Sequence, residues 1–165
     1  MSKLVATHVS LCLAGLVIAI YSIHVESMLI DLPGYTPACD ISSWKMSCSK
    51  VFKSKYAKPF SHWGIVKRHS VFDLSLPQLA ILYFIPVLSF PFLRSKFYIT
   101  RRLFQYLSYA SIVFNAYLAY ILKFILREIC IVCVSNYIVV LGLLLTINLL
   151  AGEKVSDEEA KKKLD

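Results

Sequence analysis

The sequence predicts an all-α integral membrane protein. Four transmembrane helices form a bundle, and a polar loop, or cap subdomain, joins the first two. Three observations carry this. Apolar residues make up 58% of the 165 positions, against about 45–50% in soluble domains. The excess is gathered into four runs that can cross a hydrocarbon core, which takes roughly 20 residues each. The basic residues behind the net charge of +8 sit in short stretches between those runs, where headgroups and topology use them. The length suits one domain, expected over residues 1–151, with a charged, mobile tail over 152–165.

The first run covers about residues 9–25. Lys3 precedes it as it would a signal peptide, but the apolar stretch is long for one and no small-x-small cleavage site follows Val25; an uncleaved span is expected. The second covers 76–93 and carries Pro77, Pro86 and Pro91. Pro77 suits a first helical turn, whereas Pro86 predicts a kink, tolerable where neighbouring groups satisfy the freed carbonyls. The third and fourth runs cover about 103–126 and 129–151. Tyr21, Trp63 and Tyr98 fall where interfacial aromatics belong, and Lys123, His24 and His62 read as interface side chains. Asn115 and Asn136, polar at membrane depth, read as interhelical hydrogen-bonding groups.

The loop, residues 26–75, is the only long polar connection. Pro33-Gly34-Tyr35-Thr36-Pro37 is turn-rich. Ser42 or Ser43 is the expected cap of a short helix running through Val51 and Phe52 to about Tyr56. With four spans, loop 26–75 and the Arg127-Glu128 turn share one side. Both termini share the other with the basic connection Arg94, Lys96, Arg101 and Arg102, which marks the cytosol. The long loop is itself basic (Lys45, Lys50, Lys53, Lys55, Lys58, Lys67, Arg68), but long loops count less in that rule. The ending Lys162-Lys163-Leu164-Asp165 looks like a cytosolic di-lysine retrieval signal of the endoplasmic reticulum.

The basic balance does not point to nucleic acid, since it is explained between spans. No Walker loop and no G-x-G-x-x-G is present, so the common phosphate and dinucleotide sites are unsupported. The chemistry-bearing residues are cysteines: Cys39 and Cys48 in the loop, Cys130 and Cys133 at the head of span four, and Cys12 within span one. Parity puts both pairs on one side. A C-x-x-C at a helix head sets two sulfurs one turn apart, where free N–H groups favour thiolate and exchange with a disulfide follows. A lipid-soluble quinone reaches this pair at the membrane edge. A soluble thiol partner reaches the loop pair more easily. The implied order is partner thiols, loop pair, helix pair, quinone-like oxidant.

Other readings stand beside it. Cys39 and Cys48 could form a structural loop disulfide only, as in claudin-like four-span proteins, which lack the C-x-x-C. Four thiols could hold a structural zinc ion. The same relay could run as a thiol oxidase that drives disulfide formation. Cys12 reads as a small buried hydrophobe. Tyr137, one turn below Cys133, could donate a hydrogen bond to a carbonyl or epoxide oxygen, or to a neighbouring helix.

Several segments carry a family resemblance. Span one has L-C-L-x-G-L-V and then Tyr21-x-x-His24-Val25. The loop has Cys39-Asp40, Ser47-Cys48-Ser49-Lys50-Val51-Phe52 and Ser54-Lys55-Tyr56. Tyr117-Leu118-Ala119 leads into Cys130-Ile131-Val132-Cys133 and Tyr137. Over nearly the whole chain up to about Leu150, this resembles the vitamin K epoxide reductase family. The resemblance implies an endoplasmic reticulum enzyme with both cysteine pairs in the lumen. Its activity would be reduction of vitamin K 2,3-epoxide to the quinone and of the quinone to the hydroquinone that supports γ-glutamyl carboxylation. It implies Cys133 as the thiolate that meets substrate, Cys130 as its disulfide partner, Cys48 as the group that exchanges with Cys130, and Cys39 as the entry point for electrons. The donor would be a thioredoxin-like protein of the protein disulfide isomerase kind. Tyr137 would bond one substrate oxygen. Val51, Phe52, Tyr56, Leu118 and Leu126 would line the pocket, where coumarin anticoagulants would compete. No tightly bound cofactor and no metal is implied. Between Cys39 and Cys48 there is one residue more than the vertebrate pattern, and Gln78 stands where the family places an Asn for the other substrate oxygen.

Overall fold

A computed structural model describes residues 3–32, 34–40, 47–67, 70, 72–93 and 98–162. Four long helices dominate: α1 (Lys3–Asp31), α4 (Leu76–Leu93), α5 (Tyr98–Tyr120) and α6 (Ile131–Lys162). Short helices α2 (Cys48–Lys53) and α3 (Pro59–His62), with a 3₁₀ turn at Lys55–Ala57 between them, build the cap. No β-strand forms among the described residues. All four long helices are apolar and long enough to cross a bilayer. Outward side chains such as Ile20, Leu82, Val113 and Ile138 are exposed, which suits contact with lipid. The protein is a multi-pass membrane protein.

The helices overrun the apolar runs. α1 extends at both ends beyond residues 9–25, and the Thr7 hydroxyl donates to the Lys3 carbonyl in its first turn at 3.1 Å. A hydrocarbon core needs roughly 20 residues; the extra turns reach the headgroup level. α6 likewise continues to Lys162, where a mobile tail was expected, through a stretch of Glu, Ala and Lys, all strong helix formers. Ser42, Ser43, Lys45, Arg68, Arg94, Lys96 and the last three residues of the expected retrieval signal lie outside the described residues.

α1 packs against both α4 and α6, and α5 packs against α6. Two cross-links fix the direction of the helices. At one level His8 meets Val87 and Thr146; at the other Ile18 and Ser22 share a cavity with Leu76, Ala80, Cys133 and Tyr137. So α1 runs opposite to α4 and α6. The core at the His8 end contains Cys12, Phe84, Val87, Phe90, Leu143 and Ile147. Cys12 is fully buried there.

The prolines of α4 are accommodated by named groups. Pro91 has no N–H, so the Val87 carbonyl four residues earlier loses its helical partner. His8 Nε2 donates to that carbonyl at 3.0 Å, while Nδ1 meets the Thr146 hydroxyl at 2.9 Å. One buried imidazole thus satisfies a broken backbone and joins three helices. The Phe84 ring lies directly over Gly15, where a Cβ would overlap it.

α5 ends in a wide π turn over Ile121–Leu126, and Arg127 closes it in a left-handed conformation with φ 52°. That reversal delivers Glu128, Ile129 and Cys130 to the cap. Helix α2 is capped by the Ser47 hydroxyl, which accepts from the Lys50 N–H. The observed α2 therefore starts at Cys48 and ends at Lys53, shorter than the helix expected from Ser42 or Ser43 to Tyr56.

Candidate active site

The cap and the head of α6 bring four sulfurs to one end of the bundle. Cys39 and Cys48 form a disulfide, with Cα atoms 6.0 Å apart. Cys130 and Cys133 are free thiols. The Cys130 sulfur lies 3.5 Å from that of Cys48. Cys39, Cys48 and Cys130 are all buried, together with Val51 and Leu122.

Several ties hold the two sulfur-bearing segments together. The Ser47 N–H donates to the Ile129 carbonyl at 3.0 Å, and Lys50 pairs with Glu128. Lys50 is 65% exposed in that pair, so the pair adds at most about 1 kcal/mol. The Asp40 carboxylate accepts from the Cys48 N–H, the Ser49 N–H and the Ser49 hydroxyl. Such charge-assisted bonds are worth about 1.5–3 kcal/mol each, which makes Asp40 the stronger tie.

Cys130 occupies the N-cap position of α6. Its carbonyl accepts from the Val134 N–H at 3.0 Å, and its sulfur accepts from the Cys133 N–H at 3.4 Å. A hydrogen bond from the Cys133 thiol, together with the N–H groups of Cys133 and Val132, holds the Cys130 thiol below its usual range. Burial and the Asp40 charge push the other way without prevailing. The head of α6 thus favours thiolate at Cys130.

Beside Cys133 lies a largely apolar cavity of about 830 Å³, counted to its open mouth. All four long helices and α2 contribute to its wall, among them Ala19, Phe52, Tyr83, Phe84, Leu118 and Tyr137. Tyr137 follows Cys133 by one helical turn. Its hydroxyl is buried and has no hydrogen-bond partner among the described residues. Leaving such a group unpaired costs about 1–3 kcal/mol, a cost that a bound oxygen acceptor would cancel.

The family model described as "Vitamin K epoxide reductase family" matches residues 6–147. The chain belongs to this family. It is 32% identical over 157 residues to "Vitamin K epoxide reductase complex subunit 1" of Mus musculus and 31% identical to the protein of the same name from Rattus norvegicus. Each alignment covers 93% of this chain and 91% of the relative. As a vitamin K epoxide reductase family member the protein is an oxidoreductase, and the claudin-like structural reading falls.

Within this vitamin K epoxide reductase fold, the expected pocket residues divide. Tyr137, Phe52 and Leu118 are in the cavity wall. Val51 and Leu126 are not; they pack on the sulfur cluster. Cys48, Val51 and Phe52 share one face of α2, and of these Phe52 both packs on the sulfur cluster and lines the cavity. Tyr56 also lies outside the wall, edge-on to His62 with ring centres 4.6 Å apart. Gln78 is exposed, and its side-chain carbonyl accepts from the Ser75 N–H at 2.9 Å. Ser75-Leu76-Pro77-Gln78 makes the return half of a capping box at the start of α4, which turns Gln78 away from the cavity. The polar wall groups that sequence reasoning assigned only to helix packing are Asn115 and Asn136: the Asn136 amide donates to Asn115 Oδ1 at 3.3 Å, and both face the cavity. Their spacing on α5 and α6 was visible in the sequence; their facing was not.

Cys39, Asp40 and Cys48 place two sulfurs and a carboxylate oxygen within 4.8 Å of one another. In the disulfide state these sulfurs are bonded to each other and offer no thiolate to zinc.

Proposed function

We propose that the protein reduces vitamin K 2,3-epoxide to the quinone, and the quinone to the hydroquinone, through a relay from Cys39–Cys48 to Cys130–Cys133. The observation that carries this is the 3.5 Å approach of the Cys130 and Cys48 sulfurs at the rim of an apolar cavity. That cavity is lined by Cys133 and by the unpartnered Tyr137. The wall suits a fused-ring quinone, and Tyr137 supplies a hydrogen bond to one of its oxygens.

The steps balance as follows. The Cys133 sulfur attacks the bound epoxide while Cys130 accepts its proton. Cys130 then closes a disulfide onto Cys133, two electrons pass to the ring, and the epoxide oxygen leaves as water. In the second half-reaction the dithiol, first restored by the exchange that follows each oxidation, gives two electrons and two protons to the quinone. In that exchange the Cys48 thiolate attacks the Cys130 sulfur, releasing Cys133. Cys39 attacks Cys48, releasing Cys130 and leaving the Cys39–Cys48 disulfide. This is the bonding pattern of the structure: an oxidised loop pair and a reduced helix pair. A thioredoxin-like donor of the protein disulfide isomerase kind reduces the loop pair again.

In this reading the protein spans the endoplasmic reticulum membrane with both pairs in the lumen and both termini in the cytosol. Its hydroquinone serves γ-glutamyl carboxylation. Coumarin anticoagulants compete in the cavity. The test is turnover of vitamin K epoxide by the purified full chain with a dithiol reductant. Wild type is expected to form the quinone and then the hydroquinone, and Cys133→Ala to form neither; a Cys133→Ala protein as active as wild type sinks the assignment.

A further inference from the structure

Every turnover of this relay breaks the Cys39–Cys48 bond. While both are thiols, the disulfide cross-link that fixes the Cys39 segment against helix α2 is gone, and only the intervening chain joins them. Yet two exchanges must follow in that state: Cys48 must reach Cys130, and Cys39 must then reach Cys48. Something non-covalent has to hold the two segments in register.

The ties from α2 to the α5–α6 turn do not do this. Ser47 bonds Ile129 and Lys50 pairs with Glu128, and neither touches residue 39 or 40. Among the described residues, the N–H and O–H hydrogen bonds from α2 back to the Cys39 segment end on one carboxylate. Asp40 Oδ1 accepts from the Cys48 N–H and, at 3.1 Å, from the Ser49 N–H; Oδ2 accepts from the Ser49 hydroxyl. The acceptor is adjacent in sequence to one reacting cysteine and bonds the backbone of the other.

We propose that Asp40 is a positioning residue of the relay, holding Cys39 and Cys48 together against Cys130 during the half-cycle in which their disulfide is open. It touches neither substrate nor a reacting sulfur, and it acts through the first turn of α2. This deepens the relay reading of the preceding section and rests on it. The role needs an acceptor oxygen in place, which Asn also supplies. The chemistry at Cys133 does not need Asp40, because a small dithiol can reduce the Cys130–Cys133 bond without using the loop pair.

The experiment compares two reductants with the full chain in detergent: reduced thioredoxin, which enters through the loop pair, and dithiothreitol, which bypasses it. Asp40→Ala is expected to lose thioredoxin-driven turnover on the order of tenfold to a hundredfold, the scale of a misplaced reacting group, through kcat rather than the KM for epoxide. It should keep dithiothreitol-driven turnover, and Asp40→Asn should keep both. Ser49→Ala, a milder change that removes one of the three bonds, should lower thioredoxin-driven turnover alone, by a smaller factor, and decides the matter if Asp40→Ala does not accumulate. The proposal is overturned if Asp40→Ala or, in its place, Ser49→Ala matches wild type with thioredoxin. It is also overturned if both reductants lose rate equally, or if Asn is no better than Ala. A parallel arm needs no quinone: in a Cys39→Ala, Cys133→Ala background, the yield of the Cys48–Cys130 disulfide should fall with Asp40→Ala and recover with Asp40→Asn. That arm still reports on Asp40 should vitamin K epoxide prove not to be the substrate.

Discussion

The sulfur of Cys48 stands 3.5 Å from the sulfur of Cys130, across 82 positions of sequence. One belongs to a cap helix and the other to the N-cap of a membrane helix, so the contact is where cap and bundle exchange electrons. Removing Cys39 and Cys133 takes away the competing partner of each sulfur. The Cys39→Ala, Cys133→Ala protein should then form a Cys48–Cys130 disulfide under mild oxidation, seen by non-reducing electrophoresis and peptide mapping. Failure to form it would place the two sulfurs beyond exchange distance in the working protein.

Tyr137 separates activity from stability. Its hydroxyl is buried without a partner among the described residues, so Tyr137→Phe deletes an unsatisfied group and fills nearly the same volume. Melting temperature should stay level or rise, by the equivalent of about 1 kcal/mol at most. Turnover of epoxide should fall by on the order of tenfold or more, as removal of a transition-state hydrogen bond does. A variant that loses stability and keeps its rate would assign the hydroxyl to packing.

What the sequence made legible followed from local pattern. Long apolar runs placed four helices, and alternation of four crossings put Cys39, Cys48, Cys130 and Cys133 at one end. The spacing of Cys133 and Tyr137 put both on one helix face, and both meet the cavity. The readings that strayed depended on which way a helix turns. Val51 and Leu126 are apolar and near the site, but a small rotation decides between sulfur cluster and cavity. Gln78 went astray although its own neighbourhood held the signal: Ser75 three residues earlier makes the pair a helix cap. The contact of His8 with the carbonyl freed by Pro91 was beyond reach, because its two members are 79 residues apart and nothing local couples them.

That contact yields a double-mutant prediction. His8→Leu leaves the Val87 carbonyl buried without its donor, at a cost of about 1–3 kcal/mol. Pro91→Ala restores an N–H to the helix and makes His8 dispensable for that carbonyl. In the Pro91→Ala background the cost of His8→Leu should therefore shrink, with a coupling energy of about 0.5–3 kcal/mol. Thermal unfolding of the four proteins in one detergent checks it; additive effects would mean that His8 does not serve its helices through that carbonyl.

Gly15 bears on the cavity through Phe84. A Cβ there would overlap the Phe84 ring, and Phe84 is part of the cavity wall. Gly15→Ala must push the ring toward the empty space, at about 1–3 kcal/mol for an overpacked site, and raise the KM for quinone. Phe84→Leu in the same chain should recover part of the KM. An unchanged KM in Gly15→Ala would show that the ring yields in another direction.

The proton of the Cys130–Cys133 dithiol gives a pH test with a definite sign. Cys130 lies outside the span Ile131–Gly152, and its value is lowered, first by the hydrogen bond from the Cys133 thiol and then, against burial, by the N–H groups of Cys133 and Val132. A folded value below the unfolded one stabilises the reduced protein at pH above the ordinary thiol range, and that gain is lost as pH falls through the folded value. The rate of the reduced enzyme should accordingly rise with pH through a midpoint lower than that of a free thiol. Cys133→Ala removes the leading cause, so thiolate absorbance in a Cys12→Ala background should shift its midpoint upward. Asp40→Asn removes a charge that opposes the thiolate, so its midpoint should shift downward. The two shifts have opposite signs, and no general loosening of the fold produces both. Midpoints that move in the same direction would mean that neither the Cys133 thiol nor the Asp40 charge acts on Cys130 as the geometry requires.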